Sequence, residues 1–222
     1  MSRRVTLTRH AETATPAVFH GAESDVGLSD LGHRQALAAA EWFAPLGLSC
    51  VVSSAMQRAR HTAAPIAAAC GVPHLVEPDL HERKVGALGG TAFDHLTGPW
   101  ADTFARWAAG DVTYTTSGAE SYAELQARLL PAFARAVAAG GDRPLIVAHG
   151  AVCKVLLLSL LPGWDVSGWT RIGRVSNLSV SELVPAGDGW AAGPLLVVPP
   201  PVAALTAGLP TGVGNLGIRS EA

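Results

Sequence analysis

The chain has 222 residues, of which 49% are hydrophobic and 15% are charged. A chain of this length and composition can bury a core large enough for one domain, so global disorder is excluded. The formal net charge of −2 gives no support for binding to nucleic acid or to an anionic membrane, because both need a dominant basic surface.

Local sequence features argue against a secreted, membrane-spanning, disulfide-bonded or metal-binding protein. The basic N-terminus lacks the apolar core of a secretory signal, and Pro and Gly interrupt the longest apolar runs, such as 195–209. Cys50, Cys70 and Cys153 lie among apolar neighbours without CxxC spacing, which is typical of core residues. The histidines form no HExxH motif or paired-carboxylate pattern. We therefore expect a cytoplasmic protein with no metal and no cofactor.

Strand and helix patterns alternate along the first part of the chain. Ser29 is the predicted N-cap of the first helix, and Gly71 and Pro73 end the second. The predicted elements are a strand at 3–8, a helix at 31–44, a strand at 50–52, a helix at 56–69 and a strand at 74–77.

The pattern weakens between 79 and 118, and this excursion is predicted to form a small cap. The elements that follow are a helix at 120–139, a buried strand at 144–148, a helix at 151–161 and edge strands at 178–184 and 195–198. This alternation predicts a three-layer α/β/α fold with a mostly parallel central sheet. We expect one domain over 1–198, followed by a Pro/Gly/Ala-rich tail over 199–222.

Polar residues follow two of the predicted strands. Arg9 and His10 come after the first strand, and His149 and Gly150 come after the strand at 144–148. Arg58 lies near the start of a helix that also follows a strand. Because the carboxyl ends of parallel strands meet at one sheet edge, these residues are expected to surround a phosphate dianion. Such an arrangement favours phosphoryl transfer, with a neutral histidine as nucleophile.

The segment DLHERKVGALGG places Glu82 in a glycine-bounded loop, where it can supply a proton to a leaving alkoxide if the loop overhangs the site. Each of these residues alone also has an ordinary structural interpretation. A lone histidine after a strand is more often structural, and Arg58 and Glu82 alone would be solvated surface residues.

Five motifs together resemble the histidine phosphatase superfamily, also called the phosphoglycerate mutase-like family. They occur in the family's order over roughly residues 5 to 160, so a chance match is improbable. The motifs are LTRHAET, SSAMQRARHTA, DLHERKVGALGG, SGAESYAELQAR and IVAHGAVCKVLL.

The resemblance implies a role for each matching residue. His10 would form a phosphohistidine, and Arg9, Arg58 and His149 would hold the phosphoryl oxygens. Glu82 would protonate the leaving oxygen and later deprotonate the attacking water. The resemblance implies no metal, because fixed cations neutralise the developing charge.

Two residues depart from the family pattern. Ala11 replaces the usual glycine after the histidine, a change that we expect to be tolerated. Pro16 stands where the family commonly has a phosphate-binding asparagine, and proline offers neither a side-chain amide nor a backbone N–H. His20 or the Gly21 backbone are candidate replacements, and Gly150 is a further possible substrate contact.

The sequence favours a phosphatase of small phosphorylated metabolites over two alternatives. A mutase must hold a second phosphate, yet residues 91–117 contain a single basic residue, Arg106. Arg83 and Lys84 keep the mutase alternative open. The other alternative is an inactive scaffold, which the presence of all five expected polar residues opposes.

The sequence leaves alternatives open for the substrate and for the oligomeric state. Trp100, Phe104, Trp107 and Tyr114 either line a pocket for an apolar or sugar group or form a packed face. Exposed apolar residues at 195–209 make a homodimer possible.

Overall fold

A six-stranded sheet forms the centre of the fold in the computed structural model, which describes residues 3–91 and 98–207. Its strands are β1 (Val5–Arg9), β2 (Cys50–Ser53), β3 (His74–Val76), β4 (Pro144–Ala148), β5 (Val180–Ala186) and β6 (Gly189–Ala192). The strand order is β3-β2-β4-β1-β5-β6. Strands β1 to β4 pair in parallel, whereas β5 runs antiparallel to β1 and β6 runs antiparallel to β5.

Helices cover both faces of the sheet, which confirms the predicted three-layer, mostly parallel fold. They are α1 (Asp30–Phe43), α2 (Gln57–Cys70), α3 (Gly98–Ala108), α4 (Tyr122–Ala139), α5 (Gly150–Leu160) and α6 (Pro200–Thr206). Along β4, Leu145 and Val147 pack in the core under α1 and α2, while Ile146 and Ala148 pack in the core under α4 and α5. This alternation follows from the two-residue period of a strand.

Two serines are the N-caps of helices, and the sequence predicts this role for Ser29. The Ser29 hydroxyl accepts a hydrogen bond from the Gly32 N–H at 2.9 Å and caps α1. Ser121 and Glu124 form a capping box at the start of α4. Each cap satisfies backbone N–H groups that the first turn of a helix leaves without a partner.

The prediction of an edge strand at 195–198 is wrong. The strand at this edge of the sheet is β6, which forms a hairpin with β5 through a two-residue turn at Gly187 and Asp188. The strand predicted at 178–184 is therefore not an edge strand, because β5 lies between β1 and β6. Gly187 adopts a positive φ of 55°, as tight hairpin turns require. Within 195–198, Val197 makes an isolated bridge to Val180.

The excursion over 79–118 contains α3 and short 3-10 turns at 78–80 and 86–88, and its residues 92–97 lie outside the described residues. Helix α3 packs against a 3-10 turn at Val166–Trp169 through the rings of Phe104 and Trp107, of which Trp107 is fully buried. In the tail, α6 packs against α1 and buries Val202. No described helix is long and apolar enough to cross a membrane.

The three cysteines are free thiols in the structure. Cys50 and Cys153 are buried as predicted for core residues, while Cys70 is half-buried at the end of α2. Burial raises the pKa of all three thiols.

Candidate active site

The carboxyl ends of β1 and β4 bring two histidines together. His10 follows β1, and its N–H donates to the Ala148 carbonyl at 2.9 Å, which continues the pairing of the two strands. His149 follows β4 and is the N-cap of α5. The centroids of the two imidazole rings are 5.1 Å apart. The expectation that these residues meet at one sheet edge is confirmed.

His10 has one ring nitrogen engaged with the backbone. Its Nδ1 lies 2.6 Å from the Ala11 carbonyl oxygen, which can only accept, so Nδ1 carries the proton. In the neutral ring, Nε2 then keeps its lone pair. Burial, together with the positive charges of Arg9 and Arg58, lowers the pKa of His10 well below its ordinary value. The ring is therefore neutral at physiological pH, the form that can attack phosphorus.

Arg58, the second residue of α2, crosses the site and binds three protein acceptors. Its Nε donates to His149 Nδ1 at 3.3 Å, and Nη1 and Nη2 donate to the carbonyls of Ser24 and Gly21 at 2.9 and 2.8 Å. Burial lowers its pKa to about 10, so the guanidinium stays charged at neutral pH. Each Nη retains a second hydrogen for a ligand.

Gly21 is needed in the loop that binds Arg58. Its φ is +49°, and a Cβ at this position would overlap the Glu23 and Val85 side chains. The Gly21 carbonyl is already an acceptor for Arg58. His20 lines the cavity described below, but its Nδ1 and Nε2 are engaged with Ser24 and Thr15.

Arg9 lies beside the start of α5. Its Nη1 donates to the Val175 carbonyl at 2.9 Å, while its buried Nε has no hydrogen-bond partner among the described residues. Burial lowers the pKa of Arg9. A Cβ on Gly150 would lie 3.8 Å from Arg9 Nε, an ordinary contact, so sterics there do not require glycine.

His149 is fully buried, and both of its ring nitrogens are engaged by protein groups. Nδ1 accepts from Arg58 Nε, so Nε2 carries the proton and donates to Ser54 Oγ at 2.9 Å. Burial and the charge of Arg58 lower the pKa of His149 well below its ordinary value. The ring contacts His10, but it is not among the residues that line the cavity.

Glu82 overhangs the same edge of the sheet from the 79–118 excursion. One carboxylate oxygen accepts the Arg83 N–H at 2.9 Å, and the other lies 3.4 Å from the Ala151 N–H in the first turn of α5. The side chain is 4% exposed and lines the same cavity as His10. The loop of Glu82 therefore overhangs the site, as a proton donor at this position requires.

Most of these residues line one cavity of about 360 Å³. Its sheet end is formed by Arg9, His10 and Arg58. Of the other predicted residues, Glu82, His20, Gly21 and Gly150 line the cavity, while Ala11, Pro16 and His149 do not. Over 3–91 and 98–207, no group of three or more His, Cys, Asp or Glu side chains is arranged to hold a metal ion.

Three rings among the cavity-lining residues, Trp100, Phe104 and Trp169, form what we call the aromatic wall, and Phe19 lines the cavity beside Trp100. Phe104 and Trp169 stack with centroids 5.0 Å apart. Trp107 and Tyr114 do not line the cavity; the Trp107 Nε1–H donates to the Tyr114 carbonyl at 2.8 Å. Of the four predicted aromatic residues, Trp100 and Phe104 therefore line the cavity, Trp107 is buried inside the cap, and Tyr114 is half-buried beside Arg106.

Several cavity residues were missed by sequence reasoning. Asn177 Nδ2 donates to the His10 carbonyl at 2.8 Å, and Lys154 and Arg174 add positive charge to the cavity wall. Asn177 precedes β5, and an antiparallel strand begins at the edge where its parallel neighbours end. A prediction of the direction of β5 would therefore have placed Asn177 beside His10.

A family model described as the histidine phosphatase superfamily (branch 1) matches residues 5–194. The chain belongs to this superfamily. The matched range contains His10, Arg58, Glu82 and His149, to which the sequence assigns roles in phosphoryl transfer.

Two relatives match most of this histidine phosphatase superfamily member. A protein named "Glucosyl-3-phosphoglycerate phosphatase" from Mycolicibacterium vanbaalenii is 35% identical and aligns over 82% of this chain and 84% of its own length. A protein named "Probable phosphoglycerate mutase GpmB" from Escherichia fergusonii is 34% identical and aligns over 85% of this chain and 88% of its own length.

A solved structure of mycobacterial glucosyl-3-phosphoglycerate phosphatase Rv2419c has the same fold. It superposes with a TM-score of 0.73 and is 29% identical, covering 89% of this chain and 100% of the solved chain. Relatives named as phosphatases thus appear in both the sequence and the structure comparisons.

Proposed function

We propose that this protein is a metal-independent phosphatase that hydrolyses a small phosphomonoester through a phosphohistidine on His10. The observation that carries the proposal is the state of His10. It is a neutral imidazole whose Nδ1 proton is bonded to the Ala11 carbonyl, whose Nε2 has no hydrogen bond to the residues that the structure describes, and whose pKa is lowered by burial and by the charges of Arg9 and Arg58.

In the first half-reaction, His10 Nε2 forms a bond to phosphorus as the bond from phosphorus to the ester oxygen breaks. Glu82 gives its proton to the departing oxygen, and Arg9 and Arg58 stabilise the phosphoryl charge. The Nδ1 hydrogen bond to Ala11 stabilises the positive charge that the ring gains. In the second half-reaction, Glu82 takes a proton from water, whose oxygen attacks phosphorus and releases phosphate and neutral His10.

His149 supports this site through Arg58, because its Nδ1 accepts the Arg58 Nε hydrogen bond. Direct contacts of His149, His20, Gly21 and Gly150 with the substrate stay predictions, as do the cytoplasmic location and the homodimer.

The substrate that we propose is a phosphomonoester whose leaving group has a sugar or apolar body that fits the aromatic wall. Two observations favour this class: the ring surfaces of Trp100, Phe104 and Trp169 line the cavity, and named relatives act on glucosyl-3-phosphoglycerate. Three further cations in the cavity wall, Arg83, Lys154 and Arg174, favour the mutase alternative. Lys84, which the sequence also suggested for it, does not line the cavity.

Hydrolysis of p-nitrophenyl phosphate in the presence of EDTA tests the proposal. We expect turnover that resists EDTA and falls at least about 1,000-fold in His10→Ala, because removing a nucleophile abolishes the covalent route. His61→Ala, which alters an exposed histidine of α2, is the matched control. A phosphoenzyme that is labile in acid and stable in base would locate the phosphate on histidine.

Other outcomes point to the alternatives. Transfer of phosphate between the two hydroxyls of a phosphoglycerate would favour the mutase. No turnover and no phosphoenzyme in the folded protein would favour the scaffold.

A further inference from the structure

The motif SGAESYAELQAR, to which the proposed chemistry gives no role, contains a shielded ion pair beside the loop of Glu82. Glu120 directly precedes Ser121, the N-cap of α4, and Arg128 lies in the second turn of that helix. The Nε and Nη2 groups of Arg128 donate to the two carboxylate oxygens of Glu120, each at 2.9 Å. The Arg128 and Glu120 side chains are 14% and 12% exposed, so water screens this pair weakly.

Arg128 also binds the chain just before Glu82. Its Nη1 donates to the Asp79 carbonyl at 2.6 Å and to the His81 carbonyl at 3.0 Å. A guanidinium is planar and its N–H groups point in fixed directions. Because all three nitrogens of Arg128 donate at once, the side chain is held in one geometry and fixes two backbone oxygens of the loop.

Glu120 binds the chain just after Glu82. Its carboxylate accepts the Lys84 N–H at 2.8 Å, and its own N–H donates to the Lys84 carbonyl at 2.9 Å. Its carbonyl accepts from Arg83 Nε at 2.8 Å. The Glu120–Arg128 ion pair is therefore bonded to the loop on both sides of Glu82.

The Glu82 side chain depends on its loop for its position. Glu82 lies between the 3-10 turns at 78–80 and 86–88 rather than in a strand or a long helix. One carboxylate oxygen accepts the N–H of the adjacent Arg83, and the other lies 3.4 Å from the Ala151 N–H, which is long for a hydrogen bond. A proton donor must lie within hydrogen-bond reach of the leaving oxygen, so a small displacement of this loop reduces proton transfer.

We propose that Glu120 and Arg128 are positioning residues for Glu82, and that their ion pair holds the 79–84 loop where the Glu82 carboxyl reaches the leaving oxygen. The inference rests on the proposed phosphatase function, in which Glu82 is the proton donor. Neither Glu120 nor Arg128 lines the cavity. Their loss is therefore expected to impair proton transfer rather than phosphate binding.

Two esters that differ by one nitro group test the proposal. The p-nitrophenolate ion is a weak base that leaves without a proton, whereas the phenolate ion from phenyl phosphate is a stronger base that benefits from one. We expect kcat/KM for phenyl phosphate to fall about 30-fold in Arg128→Met, with p-nitrophenyl phosphate changed less than about threefold. The ratio kcat/KM is compared because it reports formation of the phosphoenzyme and not the second half-reaction, in which Glu82 acts on water.

A double variant separates positioning from a general effect on the fold. In the Glu82→Gln background, Arg128→Met should change kcat/KM for phenyl phosphate less than about twofold, because the residue through which Arg128 acts is absent. Arg128→Lys keeps the charge without the planar fork and should restore part of the loss.

Arg135→Met is the matched control. Arg135 lies on the same helix, and its hydrogen bonds to the described residues go to the carboxylates of Glu77 and Asp79 rather than to the loop backbone. Both esters should stay within about twofold of the wild type in this variant.

Glu120→Gln tests the same ion pair with a smaller change, which keeps the proposal testable if Arg128→Met does not fold. Glutamine has the shape of glutamate but offers Arg128 one acceptor oxygen instead of two. We expect a loss of about fivefold on phenyl phosphate, with p-nitrophenyl phosphate unchanged. Equal losses on both esters, or a loss from Arg128→Met that persists in the Glu82→Gln background, would overturn the proposal.

Hydrogen exchange gives a readout that needs no turnover. The Arg83 N–H donates to the Glu82 carboxylate, so its protection reports the position of that side chain. Faster exchange at Arg83 and Lys84 in Glu120→Gln, with the amides of β1 and β4 unchanged, would support the positioning role even if ester hydrolysis, and with it the phosphatase function, failed. Unchanged exchange at 79–84 would overturn it.

Discussion

The sheet end of the cavity and its aromatic wall are built in different ways. Residues of the sheet end follow strands or begin a helix, and backbone carbonyls fix their positions: Arg9 binds Val175, and Arg58 binds Gly21 and Ser24. The wall consists of rings that pack on one another, as Phe104 does on Trp169.

This difference separates chemistry from selectivity. Hydrogen bonds are directional, so the sheet end holds its charged groups in one geometry. Ring packing is less directional, and the wall is carried by α3 and the 166–169 turn rather than by the sheet. We therefore expect changes at the sheet end to affect every phosphate ester, and changes at the wall to affect only some of them.

Substitution of Arg58 by Met should give the largest effect. It removes a cation beside His10 and leaves the carbonyls of Gly21 and Ser24 and the Nδ1 of His149 without their donor. We expect kcat/KM to fall about 1,000-fold for small and large esters alike. Steady-state kinetics on p-nitrophenyl phosphate and on a sugar phosphate measure this.

Arg60→Met, two residues further along α2 on its exposed side, is the control for Arg58→Met and should stay within about twofold of the wild type. A loss in Arg58→Met confined to the large ester would contradict the separation of the two regions.

The stability of the sheet end should depend on pH. His10 and His149 are buried and their pKa values are lowered well below 6.5, so the unfolded chain binds protons in acid that the folded chain does not. The free energy of unfolding is therefore expected to fall as the pH drops below about 6.5, by up to about 1.4 kcal/mol per pH unit for each histidine.

Urea unfolding between pH 7.5 and 5.5 measures this slope. The His10→Asn variant, which has no imidazole to protonate, should show a shallower slope than the wild type. An Ala101→Leu variant, altered beside the aromatic wall, should keep the wild-type slope. Parallel curves for the wild type and His10→Asn would count against the neutral buried His10.

Ala101→Leu should have the smallest effect, and only on selectivity. Ala101 lines the cavity from α3 next to Trp100, so a larger side chain there reduces the space for the leaving group. We expect KM for a sugar phosphate to rise about fivefold, with p-nitrophenyl phosphate unchanged. Ala134→Leu, at an exposed position of α4, serves as the control. A fall in kcat on both esters would show that the wall also affects the chemistry.

The sequence predicted the sheet end better than the wall, for a physical reason. Strand ends leave local signals, so the adjacent Arg9 and His10, and His149 after a fully apolar strand, could be placed at one edge. The position of Asn177 beside His10 depends on a contact across the fold, between residues that are 167 positions apart in the chain. Such contacts follow from the direction of β5 and the packing of the cap, which have no local pattern.

The hairpin of β5 and β6, unlike the contacts of Asn177, does have a local sequence pattern. Its turn, with Gly187 at a positive φ, carries a sequence signal that favours a hairpin, so β6 could have been predicted. By contrast, whether Trp100 or Trp107 faces the cavity depends on how α3 packs against the rest of the protein. The spacing of the two residues along the helix does not predict that packing.

The burial of Cys153, one turn into α5 and close to the charge of Arg9, has a consequence for the redox chemistry of the protein. Peroxides and alkylating reagents react with thiolates, and burial raises the pKa of Cys153 so that it remains a thiol. The proposed nucleophile is an imidazole rather than a sulfur atom. Hydrolysis at this site is thus compatible with oxidising conditions that inactivate enzymes with a cysteine nucleophile.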